Sequence, residues 1–171
     1  MNVGNIIDMK WVEKYNPSSV IYVWQGGQEG GNGVVDVLTG KVNPSGKLTD
    51  TIARNIEDYP SSENFGNTEK NYYQEDIYVG YRYFESFAKD KVIYPFGYGL
   101  SYTNFEIKGK LLEVTDTEII VEANIFNKGE IPGKEVVQVY VEAPQGKLGK
   151  PARSLVGLQR QMLLIQMKVR K

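Results

Sequence analysis

The sequence contains no cysteine and no histidine. Without cysteine there can be no disulfide, no thiolate nucleophile and no Cys-ligated metal. Without histidine neither a Ser-His-Asp nor a Cys-His arrangement can be assembled, nor a His-ligated zinc. Catalysis would have to rest on carboxylates, Tyr, Lys or Arg, and neither a metal nor a cofactor is expected. No stretch approaches the roughly 18 consecutive apolar residues that a membrane-spanning helix needs. The start shows no charged segment followed by an apolar one, so no secretory signal is expected and a cytoplasmic location is favoured. Charge excess is also lacking: 20 basic residues face 21 acidic ones, for a net charge of −1. That gives no electrostatic reason to expect nucleic acid or a membrane as partner.

What is present is an ordinary soluble balance, 41% hydrophobic and 24% charged, with a mean hydropathy of −0.39. The 171 residues suffice for one domain or two small ones. Tyrosine is abundant at 12. Together with Trp and Gly it suits sugar-facing surfaces and, equally, β-sheet cores.

The chain is organised around residues 20–48. An uncharged, β-branched and aromatic run, Val20 to Trp24, meets a glycine-rich loop at residues 25–33. The run predicts a strand covered on both faces, as in a parallel sheet. Val34, Val37 and Leu38 share one face of a helix predicted over residues 30–39, and Gly40 fits the position after its end. Before this stretch, residues 11–15 predict one or two helical turns, closed by the breaker Asn16-Pro17-Ser18-Ser19. After it, residues 46–52 predict an edge strand and residues 54–71 a long polar loop. Residues 72–87 alternate, which predicts one long strand or a strand with a bulge at Gly80. Residues 94–103 predict an ordered crossing loop. Residues 105–114, 117–127 and 136–143 predict three strands separated by turn signals. These point to an immunoglobulin-like sandwich, but such a fold takes about seven strands and about 100 residues, so it would be incomplete. Residues 162–171 fit either a fourth strand or, preferably, an out-of-register ending.

Glu29 sits in the glycine-rich loop beside Gln28, with Gln25 nearby. A carboxylate among amides on a closely approachable backbone suits sugar hydroxyls. It equally suits the positive end of a helix dipole. The loop matches neither phosphate-cradling nor dinucleotide-binding glycine patterns. Glu75 and Asp76 invite comparison with the two carboxylates of glycosidases, but adjacent strand residues point to opposite faces and cannot form that pair. Arg82, among Tyr81, Tyr83 and Phe84, reads as a structural anchor stacked on aromatics.

Three segments occur in order: GGQEGGNGVVDVLTGKVNPSGKL, YQEDIYVGYRYF and YPFGYGLSYTNF. Together they resemble the carboxyl-terminal part of glycoside hydrolase family 3, of the β-glucosidase and β-xylosidase type, over roughly residues 1–160. The resemblance implies an α+β chain. Residues 1–71 would be the remnant of an α/β sandwich domain and residues 72–103 a connecting strand and loop. Residues 104–171 would be a truncated fibronectin type III-like domain. It also implies a β-glucoside or related oligosaccharide as substrate of the full-length enzyme, and a barrel domain as the partner this chain lacks. The family's aspartate nucleophile lies on that barrel, and its acid/base glutamate lies outside the matching segments, so no catalytic residue is assigned here. Gln28 and Glu29 would border the substrate site. The function expected is that of a fragment, inactive alone. A non-catalytic carbohydrate-binding or assembly module, possibly half of a split enzyme, is the alternative.

Overall fold

The computed structural model describes residues 1–161 and 165–170, and side chains as far as residue 160. The chain forms two compact units, each assembled from separate stretches of sequence. The first unit is built from short helices and a two-stranded antiparallel sheet, the second from antiparallel sheets, which makes the chain α+β.

The first unit takes Met1–Asp36, Leu48–Tyr98 and Ala143–Ala152. Helix α1 (Lys10–Tyr15) ends where expected, at Asn16, whose left-handed backbone (φ 44°) lets its N–H reach the Val12 carbonyl. Helix α2 (Gly30–Leu38) also lies where expected and is followed by Gly40 at φ +75°. Strands β1 (Ile52–Ala53) and β2 (Val92–Tyr94) pair antiparallel. The polar stretch between them is ordered by short 3-10 turns at Ile56–Asp58 and Pro60–Glu63. Against this pair packs α3 (Tyr81–Phe87). Phe84, Ala88 and Ala53 form the buried cluster, flanked by Tyr59, Tyr83 and Val92. Ser86 Oγ donates to the Arg82 carbonyl at 2.6 Å and accepts the Ala152 N–H at 2.9 Å, which ties the 143–152 stretch to α3.

Tyr59 fastens β1 in place. Its hydroxyl donates to the Thr51 carbonyl at 2.8 Å and accepts the Ala53 N–H at 2.9 Å. Burial pushes its pKa above the ordinary tyrosine value, so the phenol stays protonated and able to donate across the neutral range. Tyr59→Phe keeps the ring but leaves two backbone groups of a buried strand unpaired. It is expected to lower the unfolding free energy by about 1–3 kcal/mol in urea titrations. An unchanged midpoint would show that water replaces the hydroxyl at no cost.

Three expectations for this unit fail. Residues 72–87 are not a strand. They form a 3-10 turn at Asp76–Tyr78 and then α3. Gly80, at φ +60°, caps the helix instead of making a bulge. Phe84 and Ala88 stand four apart on the buried side, so helical spacing serves the core better than alternation does. The Val20–Trp24 run is not a strand buried on both faces; among the described residues its backbone pairs with Met1, and Ile21 is 36% exposed. A strand of that kind needs neighbours on both edges, and the described residues supply one. The edge strand expected at residues 46–52 shrinks to its last residue and Ala53.

The second unit takes Val37–Lys47, Gly99–Glu142 and the chain from Arg153 on. Strands β3 (Phe105–Val114), β4 (Glu118–Asn127) and β5 (Glu135–Val141) follow the predicted bounds closely. Strand β6 (Ser154–Gln161) was not foreseen and pairs antiparallel with β5. Strand β7 (Ile165–Arg170) pairs antiparallel with β4, giving the order β3-β4-β7. Residues 165–170 thus form a strand, one of the two expectations for the tail, while residues 162–164 and 171 lie outside the described residues. The register places Gly109 opposite Ala123 and Ile107 opposite Ile125. Ala123, Ile125 and Val137 form the core, with Phe105 and Val139 against it. The turn after β4 is knotted by Asn127, whose Oδ1 accepts from Thr103 Oγ1 at 2.6 Å and from the Gly129 N–H at 3.1 Å. A Cβ on Gly129 would lie 2.4 Å from Thr103 Oγ1, so only glycine fits there. Among the described residues, no helix is long and apolar enough to cross a membrane.

Candidate functional site

The glycine-rich loop begins with a strained residue. Trp24 has φ 58°, a region that bulky side chains rarely enter. Its ring lies 4.5 Å, centroid to centroid, from that of Tyr22. Tyr22 in turn donates its hydroxyl to the Asn5 carbonyl. Gln25 packs on Gly4, where a Cβ would meet its amide at 2.7 Å. Gln25 is therefore engaged locally. Gly26 is held close to the start of α2, since a Cβ on it would stand 2.9 Å from the Gly30 Cα. The loop folds tightly onto its own helix.

Gln28 and Glu29 form the turn just before α2, and both are exposed. The Glu29 carboxylate accepts from Asn32 Nδ2 at 2.5 Å, and its backbone carbonyl accepts the Gly33 N–H at 3.0 Å. The arrangement satisfies the helix-dipole account and leaves the rest of the carboxylate open to solvent. Gln28 and Glu29 are adjacent, with Gln25 turned to Gly4.

The second pair of acids plays no such part. Glu75 opens a 3-10 turn, accepting the Tyr78 N–H on its carbonyl at 2.8 Å, and Asp76 adopts φ 47°. Their expected strand geometry is absent, so the argument from opposite strand faces no longer applies to them. The Arg82 guanidinium stands 5.7 Å from the Tyr81 ring centroid, consistent with an anchoring role.

Several carboxylates are committed to cations. Lys10 pairs with Glu57 at 3.0 Å, Lys91 with Asp58 at 2.9 Å, and Glu13 with Arg54. Hydrogen bonding to Lys10 holds Glu57 below the usual carboxylate range. Burial raises the Asp58 pKa, but hydrogen bonds from Lys91 and Asn55 outweigh it and the net shift is downward. Glu106 is lowered by Lys108 and Lys128. A glycosidase acid needs the opposite shift, upward, to keep its proton near neutral pH.

Sequence reasoning missed the role of the Asn43-Pro44-Ser45-Gly46-Lys47 turn. Asn43 Nδ2 donates to the Pro132 carbonyl at 3.1 Å, and its Oδ1 accepts from Ser101 Oγ and the Tyr102 N–H, both at 2.9 Å. Lys47 bridges Glu135 at 2.8 Å and the Gly99 carbonyl at 2.8 Å. The turn borders a shallow recess of about 230 Å³ lined by Val42, Asn43, Ser45, Pro132, Gly133 and Lys134. No carboxylate lines it, so it offers no acid or nucleophile for glycoside cleavage.

Residues 1–102 match the family described as the glycosyl hydrolase family 3 C-terminal domain. The chain belongs to that family. It is 56% identical over 96% of its length to a β-glucosidase of Ruminococcus albus, of which it covers 17%. The solved β-glucosidase of Paenibacillus barengoltzii superposes with a TM-score of 0.89 at 52% identity, over 99% of this chain and 20% of that one. β-Glucosidase 3B of Thermotoga neapolitana, solved with glycerol, gives 0.86 at 40% identity, over 99% of this chain and 25% of the other. The chain thus corresponds to about a fifth of its relatives.

Proposed function

We propose that this chain is the C-terminal portion of a family 3 β-glucosidase and contributes to hydrolysis of O-glycosyl bonds only as part of a larger assembly. The observation that carries this reading is its 56% identity to a β-glucosidase over nearly its whole length while filling 17% of that protein. In this reading the catalytic carboxylates belong to the part of the relatives that this chain does not match. Residues 1–71 are the α/β sandwich remnant, 72–103 the connection, and 104–171 an incomplete fibronectin type III-like domain. A three-stranded and a two-stranded antiparallel sheet support the last assignment. Gln28 and Glu29, exposed ahead of α2, border the substrate site of the whole enzyme.

The purified chain is expected to leave aryl β-glucosides unhydrolysed at the level of a protein-free blank. Turnover clearly above that blank would overturn the reading. The stacked Tyr22 and Trp24 rings favour one alternative, a carbohydrate-binding module without turnover. Saturable quenching of Trp24 fluorescence by glucose or cellobiose, lost in Trp24→Phe, would select it.

A further inference from the structure

We propose that Asn32 is a site of spontaneous covalent modification, in which the Gly33 nitrogen attacks the Asn32 side-chain amide and the bond between Asn32 and Glu29 sets the rate. Asn32-Gly33 is the one Asn-Gly step in the 171 residues. Glycine after asparagine leaves the attacking nitrogen unshielded, because it carries no Cβ and its backbone turns freely. Water is the only co-reactant. A bond forms from the Gly33 nitrogen to Asn32 Cγ, and the Cγ–Nδ2 bond breaks. Nδ2 leaves as ammonia, taking the proton shed by the Gly33 nitrogen. Water then opens the cyclic imide. Opening at Cγ gives aspartate. Opening at the main-chain carbonyl carbon of residue 32 gives isoaspartate, with the chain rerouted through the side chain.

Asn32 and Gly33 are both exposed in the first turn of α2, and a Cβ on Gly33 would meet nothing within 4 Å, so the ring has room to form. Two features oppose each other there. Gly30, Gly31 and Gly33 each weaken a helix relative to alanine, and no residue of α2 is buried, so packing does little to hold the turn shut. Against them, the Gly33 N–H donates to the Glu29 carbonyl at 3.0 Å, and Asn32 Nδ2 donates to the Glu29 carboxylate at 2.5 Å. While both bonds stand, Glu29 holds the attacking nitrogen and its target apart. Ring closure therefore proceeds from the opened turn, and its rate follows how often that turn opens. Either product puts a carboxylate where the amide donated, three residues from Glu29, which sets like charges side by side on the helix. The modification thus removes the contact that delayed it.

The test holds the intact chain at mildly alkaline pH and follows every asparagine by peptide mapping and mass spectrometry, with the aspartate and isoaspartate products separated by chromatography. Asn32 is expected to convert ahead of the other asparagines, while Asn16 and Asn43 stay intact because the proline after each offers no N–H. Gly33→Ala, which the open surroundings accommodate, is expected to slow conversion at least about tenfold. Glu29→Ala is expected to speed it about three- to tenfold by freeing the amide and loosening the turn. In urea the turn is gone, so the unaltered chain should convert faster than when folded and the advantage of Glu29→Ala should vanish. Conversion led by another asparagine, unchanged by Gly33→Ala or not accelerated by Glu29→Ala would overturn the proposal. So would an acceleration by Glu29→Ala that persists in urea, since the local charge and not the turn would then set the rate.

Discussion

Phe84→Ala is expected to cost about 3–5 kcal/mol of unfolding free energy, a large share of the roughly 5–15 kcal/mol available to a domain. Phe84 is 1% exposed, the deepest large side chain of the first unit. Its ring meets Tyr59 edge-on at 5.3 Å and Tyr83 at 5.3 Å. Truncation removes the ring from water-free surroundings and leaves a cavity between α3 and the β1–β2 pair. Helix α3 has only 7 residues and cannot hold itself together by backbone bonds alone. Its stability comes from this packing, so loss of the ring should unfix the helix as well. The control is Phe87→Ala on the same helix. Phe87 is 62% exposed, and burial arithmetic allows it about 1 kcal/mol. Urea titrations of the two variants check the contrast. Equal losses at both positions would mean that α3 is not anchored through Phe84.

The places where the sequence predicted well and badly have a common cause. In β3, β4 and β5 apolar residues rich in β-branched types run between turn signals, so the bounds come out close although most of β3 is exposed. Strand β6 escaped because Gly157 interrupts its apolar residues and its register slips opposite Val139 and Tyr140. Residues 72–87 misled because aromatic residues stand on every side of the segment. Tyr81, Tyr83, Phe84 and Phe87 satisfy a two-residue and a 3.6-residue period at once, and only the contact of Phe84 with Ala53 and Ala88 decides. At the glycine-rich loop, Asn32 lies three residues after Glu29, the spacing of neighbours on a helix, so their bond was legible in principle. The left-handed backbone of Trp24 was not, since no local pattern forces a bulky residue there. The three ordered motifs pointed to the family that the match over residues 1–102 shows. They could not reveal that the Asn-Pro-Ser-Gly-Lys turn reaches Glu135, because that contact joins residues 88 apart.

That contact leads to the second large effect. Lys47→Met is expected to destabilise the second unit by about 3 kcal/mol, because it strands a carboxylate in a nearly dry place. Lys47 and Glu135 retain only 13% and 15% of side-chain exposure, and the ammonium also holds the Gly99 carbonyl at 2.8 Å. The surroundings cannot relax easily, since a Cβ on Gly99 would already lie 2.5 Å from the Gly46 carbonyl oxygen. Methionine preserves the bulk of the lysine stem, so the loss reports charge and hydrogen bonding more than volume. The surface pair gives the contrast: Lys10 and Glu57 are 51% and 68% exposed, and Lys10→Ala should change stability far less than Lys47→Met. Added salt should shrink the Lys10 effect while leaving most of the Lys47 effect, because screening acts weakly on buried charges. The decisive measurement is the double variant Lys47→Met with Glu135→Leu. If the cost comes from an orphaned charge, removing the second partner restores much of the stability lost with the first, since apolar replacement of a buried pair is often neutral. A double variant no more stable than Lys47→Met alone would show that the turn depends on the bond from Lys47 to Gly99 rather than on the ion pair.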